Sequence, residues 1–363
     1  MPDRPSDADL TVAQLGEFGL IDRLARIVGR GNRDPLQPEA SGAIGIGDDA
    51  ALWTPTPGRH EVLTTDALIE GVHFRHSTSS WRDLGWKALA QNVSDIAAMG
   101  AVPTRAFVTL GLRRDARVAD LEELYRGFAD LELDLLERGV DFVLAGGDTV
   151  SSPVTVISIT VVGELEGAGL RRAAGQPGDL LAVTGTLGGS TGGLELLERG
   201  DAPLENPDVA VLARLHRRPE PRVLEGLTLA KAGVRCGMDL SDGLLGDAGK
   251  LAYASGLSAT LLLHELPTSA ALTRQFGGET ARQMALAGGE DFELLVAGDA
   301  ETLEHASALL AAGVDLQPLC GLTVVGRLEQ GTPGKVTVLD EHGRTVTPPR
   351  SSWDHFRQSE PRP

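Results

Sequence analysis

Two domains of α/β or α+β class are predicted for this chain from three observations. Strand and helix patterns alternate in both halves, an order that favours sheets covered by helices. Polar, glycine-rich sequence from Glu164 to Asp179 interrupts that alternation. The 363 residues, 42% of them hydrophobic, allow a large core and favour two domains over one. The expected partition is a disordered tail over 1–12, an N-terminal domain over 13–164 and a C-terminal α/β domain over 165–358.

Leu15, Phe18, Ile21, Leu24, Ile27 and Val28 recur at helical spacing and predict a helix over 15–28. Asn32 to Ser41, with two prolines, reads as a loop. Glu61 to Asp66 reads as a strand ending on its acidic residue. Trp81 to Met99 reads as a helix stopped by Gly100 and Pro103. Ala106 to Leu112 is a strand and Asp120 to Arg138 an amphipathic helix. Phe142 to Ala145 is a short buried strand, and Val154 to Val162 is a strand rich in β-branched residues. In the second half, Leu180 to Thr184 is a strand, and the glycine-rich run Gly185 to Gly193 opens a helix over Leu194 to Arg199. Helices follow at Pro219 to Ala232 and Gly243 to Ala254, then a strand at Leu294 to Val296 and a helix at Ala300 to Ala312. Gly321 to Leu328 and Val336 to Leu339 are late strands. No short tandem repeat is present.

The formal net charge of −18 and pI near 4.9 argue against nucleic-acid binding, because an acidic chain gains little from counterion release. The excess acid is either a solvated surface or, in part, a set of metal ligands. Cys236 and Cys320 stand in no metal-spaced pattern and read as core residues of a reducing compartment. Met1 to Leu10 shows no basic segment followed by an apolar one, and no apolar run approaches a membrane span. The expected location is cytoplasmic.

Six segments place Asp or Glu beside Gly, Ser or Thr: Gly45–Asp49, Thr64–Asp66, Asn92–Asp95, Gly146–Thr149, Asp239–Gly243 and Gly288–Asp291. Hard cations such as Mg²⁺ take carboxylate, water and phosphate oxygens. Glycine lets a backbone approach a phosphate, and small hydroxyls hydrogen-bond it. Each segment also has a structural reading. Asp48 and Asp49 form either a turn with a capping carboxylate or a pair that repels unless a cation joins it. Asp66, ending a buried-looking strand, and Asp95, beside the apolar Ile96–Met99, would be costly unpaired. Asp148 follows two glycines at a strand end, and one of Asp239 and Asp242 could cap the helix that follows. The structural reading weakens when the same chemistry recurs six times in one chain.

Gly185 to Gly193 is either a structural turn or a phosphate cradle at a helix N-terminus. It is not a Walker A loop, since no Gly-Lys-Ser/Thr follows, and the dinucleotide fingerprint is absent. His73 is either structural or part of a site. Arg171 and Arg172 are either a surface pair or a bidentate phosphate contact. No Ser-His-Asp order, zinc spacing or basic nucleic-acid patch appears.

Taken in order, the motifs resemble the thiamine-monophosphate kinase family of the aminoimidazole-ribotide-synthetase-like superfamily. The likeness runs from Gly16-Glu17-Phe18 to Trp353-Asp354-His355-Phe356. It rests on Gly45–Ala51, Asn92–Ala101, Asp239–Leu244 and Gly288–Leu294; the first two blocks alone fit the wider superfamily. The resemblance implies an N-terminal sheet domain that binds ATP and Mg²⁺ and builds a homodimer, followed by the C-terminal α/β domain. It implies direct transfer of the ATP γ-phosphoryl group to thiamine monophosphate, with no catalytic side chain beyond metal assistance. The Mg²⁺ positions match Asp49, Thr64, Thr65, Asp66, Asp95, Asp148, Asp239 and Asp242. ATP contacts match Gly147, Asp148, Arg172 and Ser241, with Tyr125 as a further match across a helix longer than the family pattern. Thiamine monophosphate contacts match His73, Glu290 and Trp353. The alternatives are a sibling ATP-dependent synthetase and a non-catalytic Mg²⁺-binding dimer module. A selenophosphate synthetase usually carries an early reactive Cys or selenocysteine, and no cysteine precedes Cys236 here.

Overall fold

The computed structural model describes residues 9–28, 44–46, 48–201, 205–314 and 317–348. The tail through residue 8, the Asn32–Ser41 loop, Gly47 and Trp353–Phe356 lie outside them. The chain divides into two compact units, Met1–Val93 with Pro103–Glu164, and Ser94–Val102 with Leu165–Pro363.

The first unit contains α1 (Val12–Leu15), α2 (Glu17–Val28), β1 (His60–Ile69), α3 (Trp81–Ala98), β2 (Val102–Leu112), α4 (Val118–Glu137), β3 (Val143–Ser151) and β4 (Val156–Leu165). The last turn of α3 groups with the second unit. The sheet order is β1-β4-β2-β3, with β2 and β3 parallel. Helix α4 buries Leu121, Leu124, Phe128, Leu131 and Leu135, spaced three and four apart to form one apolar stripe. Helices α3 and α4 meet through glycine. A Cβ at Gly85 would lie 2.0 Å from the Leu124 carbonyl oxygen, and one at Gly127 would lie 2.0 Å from that of Arg82. Arg82 and Asp130 then join the two helices by paired bonds of 2.8 and 2.7 Å. By contrast, β1 is largely exposed, with Leu63 open to solvent.

The second unit is built from β5 (Leu180–Thr184), α5 (Gly189–Arg199), α6 (Pro207–Arg217), α7 (Val223–Lys231), β6 (Cys236–Asp239), α8 (Leu244–Ala254), β7 (Ser258–Leu262), α9 (Ala270–Phe276), α10 (Gly278–Ala287), β8 (Leu294–Gly298), α11 (Ala300–Ala312), β9 (Leu322–Glu329), β10 (Val336–Leu339) and β11 (Thr345–Val346). Its sheet order is β11-β10-β7-β9-β5-β8-β6, antiparallel except for the β10–β7 pair. Side chains alternate across a strand, so a sheet covered on both faces needs an unbroken apolar run. Leu181 and Val183 of β5 enter one core with Leu295, while Ala182 enters the opposite core with Leu294 and Val296. The uninterrupted runs Leu180–Val183 and Leu294–Ala297 follow from that burial.

Several boundaries differ from expectation. β1 continues to Ile69 and β3 runs through the Gly-Gly-Asp motif to Ser151. α5 begins at Gly189, inside the glycine-rich run, and α7 begins only at Val223. Among the described residues, no helix is long and apolar enough to cross a membrane.

Candidate functional site

In the first unit the acidic residues lie on open strands and turns. Asp66 is exposed and β1 runs past it to Ile69, so the burial cost expected at a strand end does not arise. Its amide donates to Asn92 Oδ1 at 3.0 Å, while buried Asn92 donates to the Ala88 carbonyl at 2.9 Å. Asn92 thus braces the strand. Thr65 Oγ1 donates to the Ile159 carbonyl at 3.2 Å, and Thr64 precedes it on β1. Gly147 and Asp148 are exposed on β3, with Asp148 Oδ1 accepting the Thr149 amide at 2.8 Å. A Cβ at Gly147 would lie 2.0 Å from the Val108 carbonyl oxygen, so only glycine fits against β2 there. Asp49 is exposed in a turn where its amide donates to Asp48 Oδ1 at 2.8 Å. His73 Nδ1 accepts the Ile69 amide at 3.1 Å, which closes a turn after β1. Tyr125 is a core residue of α4. Its ring meets Phe128 edge-on at 5.1 Å, and burial pushes its hydroxyl pKa up.

The second unit gathers acid into a buried cluster. Asp239 ends β6 at 3% exposure and accepts the Ser94 hydroxyl at 3.1 Å. Burial pushes its pKa up, and the nearby charges of Asp95 and Asp247 push the same way. The Ser94 bond and the charge of exposed Arg172 act in the opposite direction. Asp95 is half-buried in the last turn of α3. Ser241 and Asp242 form the turn into α8, and both their amides donate to Asp247 Oδ2, at 3.1 and 3.0 Å. Lys250 Nζ joins Asp247 Oδ1 at 2.8 Å and also bonds Asp242. Gly243 is the N-cap of α8 without a side-chain bond, so neither Asp239 nor Asp242 caps this helix. Beside α8 opens a cavity of ≈ 730 Å³ whose walls include Arg172, Lys250 and Tyr253. Asp247 and Lys250 were not singled out by sequence; an Asp in the first turn of a helix reads as ordinary dipole compensation.

Glu290 stands in the connection from α10 to β8 and is stitched to the same turn. Its amide donates to the Ser241 carbonyl at 2.8 Å, and the Phe292 amide to that of Leu240 at 3.0 Å. Glu290 and Phe292 hold φ values of 65° and 51°, a left-handed conformation uncommon outside glycine. Between them, Asp291 accepts the amides of Gly188 and Ser190 at 2.6 and 3.0 Å. The glycine-rich run therefore does aim its amides from a helix N-terminus, but the group they hold is the chain's own Asp291 carboxyl. Burial raises the Asp291 pKa to about 7 despite those two amides. Nearby, buried Glu293 takes two bonds from Arg222, at 2.7 and 2.6 Å, and one from Thr184 at 2.7 Å. Trp353 lies outside the described residues.

Among the described residues, no three Asp, Glu, His or Cys side chains already converge as a metal cage. Mg²⁺ does not require one. It keeps several waters and is held by one or two carboxylates together with substrate phosphates. A divalent cation held by Asp239 and Asp95 would relieve their mutual repulsion.

The family model for the N-terminal domain of AIR synthase related protein matches residues 47–165, and that for the C-terminal domain matches 176–337. The thiamine-monophosphate kinase of Escherichia coli K12 is 36% identical over 343 residues, spanning 94% of this chain and 98% of that protein. The crystal structure of thiamine-monophosphate kinase from Stenotrophomonas maltophilia superposes with a TM-score of 0.74 at 37% identity, covering 91% of this chain and 98% of that one. A structure of AaThiL complexed with AMPPCP and TMP has a TM-score of 0.69 at 31% identity, covering 96% and 99%.

Proposed function

We propose, from the premise that this chain belongs to the thiamine-monophosphate kinase family of AIR synthase related proteins, that it transfers the γ-phosphoryl group of ATP directly to thiamine monophosphate. The products are thiamine diphosphate and ADP. The observation that supports this best is the bond from the Glu290 amide to the Ser241 carbonyl. It fastens a residue of the acceptor side to the turn that serves the nucleotide and its metal.

In this reading Gly147, Asp148, Arg172 and Ser241 hold ATP, and His73, Glu290 and Trp353 touch thiamine monophosphate. Tyr125, enclosed in the core of its unit, takes no part. Asp49, Thr64, Thr65, Asp66, Asp95, Asp148, Asp239 and Asp242 would hold Mg²⁺, which when bound neutralises charge on the transferring and accepting phosphates. Arg172 contributes a fixed positive charge and a planar set of donors suited to phosphate. Asp247 holds the Ser241 and Asp242 amides in place, so the turn is shaped before substrate arrives. The acceptor phosphate is already a nucleophile as a dianion, so no side chain acts as a base and no phosphoenzyme forms. The active form is a homodimer joined through the first unit's sheet. Leu63 on β1 and Val150 on β3 are exposed there, and a second copy would cover them.

The test is a product assay with ATP, Mg²⁺ and thiamine monophosphate. ADP and thiamine diphosphate are expected in equal amounts, with no product from free thiamine. Efficient use of free thiamine, or label from ATP trapped on the protein, would overturn the reading.

A further inference from the structure

Behind Glu290 lies a chain of buried side chains that the phosphoryl transfer leaves unused. His216, on α6, is 4% exposed. Its Nδ1 is 3.1 Å from Ser190 Oγ and 3.7 Å from Glu290 Oε2. Ser190 is 1% exposed, and its amide is fixed to Asp291, the neighbour of Glu290. Ser190 thus ties Asp291, through its amide, to His216, whose Nδ1 faces the Glu290 carboxylate at 3.7 Å.

The arrangement is not a nucleophile triad. There the carboxylate meets the ring nitrogen opposite the serine; here Ser190 and Glu290 both approach Nδ1. A bare Nδ1 would set its lone pair against the Glu290 carboxylate. A proton on that nitrogen would be donated to Ser190 Oγ at 3.1 Å and would face the carboxylate electrostatically at 3.7 Å. Glu290 keeps 32% of its side chain exposed while His216 keeps 5%. The carboxylate accordingly spans from a buried anchor to the surface, on a backbone held in the left-handed region.

We propose that Ser190 and His216 are positioning residues that aim Glu290 at the cationic, N–H-bearing ring system of the phosphate acceptor, remote from the reacting phosphate. This rests on the assignment of Glu290 to the acceptor side. The pair sets which phosphate monoester is accepted and leaves the nucleotide untouched. The His216 ring, facing the carboxylate at 3.7 Å, limits its orientations, and a carboxylate released from that ring samples orientations that miss the acceptor's donors.

The test varies thiamine monophosphate and ATP separately in the wild-type chain and in His216→Leu, His216→Asn and Ser190→Ala. His216→Leu is expected to raise the acceptor KM about fivefold, the scale of a side-chain ion pair, with the ATP KM within about twofold. His216→Asn places an amide donor near the Nδ1 position and is expected to recover most of that loss. Ser190→Ala should raise the acceptor KM alone, by about threefold. Equal rises in both KM values, no rise at all, or an Asn variant as poor as Leu would overturn the proposal. Should His216→Leu fail to fold, Ser190→Ala decides by the same criterion. Failure of the underlying reading shows separately, as a wild-type chain that makes no thiamine diphosphate.

Discussion

Asp66 and Asp148 stand exposed on strands of the first unit, whereas Asp239 in the second is 3% exposed and under the charge of Asp95. An exposed carboxylate is stabilised by water whether or not a cation is bound. A buried one beside another acid is not, and its ionisation is suppressed until a counter-charge arrives. The second unit shows both solutions within itself. Glu293 has two bonds from Arg222, while Asp239 accepts the Ser94 hydroxyl and feels the charge of Arg172.

The sharpest way to break this comparison is Asp239→Asn. It should lower kcat/KM by about 10³-fold, since charge stabilisation at the transferring phosphate is lost. Its melting temperature should hold or rise, because an amide carries no charge to bury. A large fall in both would make Asp239 structural. Arg222→Met tests the compensated pair. Leaving Glu293 buried without its cation should cost about 3–5 kcal/mol in urea unfolding. A loss below about 1 kcal/mol would place that pair among weak surface bridges. Asp66→Asn tests the open strand. Activity should fall about tenfold, partly restored by high Mg²⁺, with stability unchanged within about 0.5 kcal/mol.

The smallest effect concerns pH. Folding raises the Asp291 pKa from an ordinary 3.8 to about 7, so the folded chain keeps this proton where the unfolded chain has lost it. The contribution to stability is full below pH 3.8 and is lost as pH rises toward 7. Without ligands the melting temperature should decline by about a few degrees between pH 5 and 7.5. Asp291→Asn should flatten that slope, whatever its absolute melting temperature. An unchanged slope would assign the decline to other groups.

Much of the fold was legible where a local pattern carries it. β5 and β8 announce themselves as unbroken apolar runs because both their faces are covered, and α11 has Asp299 as N-cap and Gly313 at its end. β6 was not legible. It has four residues, one of them Gly237, and its strand form comes from pairing with β8. β7, α6, α9 and α10 were missed in the same way; α10 opens on Gly278 and has a weak apolar stripe, so neighbouring helices define it. Within the site, the acidic segments were visible as chemistry but their burial was not. Asp66 was expected at a buried strand end and is exposed. The glycine-rich run read as either a turn or a phosphate cradle, yet the carboxyl group its amides hold lies 103 residues away in sequence. The contact of Ser190 with His216 likewise follows from the packing of α5 and α6, which no local spacing reveals.

Under the proposed function, Asp95 and Asp239 would together hold a divalent cation brought with nucleotide. Calorimetric titration of Mg²⁺ with ATP into the wild-type chain and into Asp95→Asn tests it most directly. Tight, Mg²⁺-dependent nucleotide binding is expected for the wild type, weakened at least about tenfold in the variant, with Mg²⁺ no longer enhancing affinity fully. Equal affinity and equal Mg²⁺ dependence in the two proteins would contradict it.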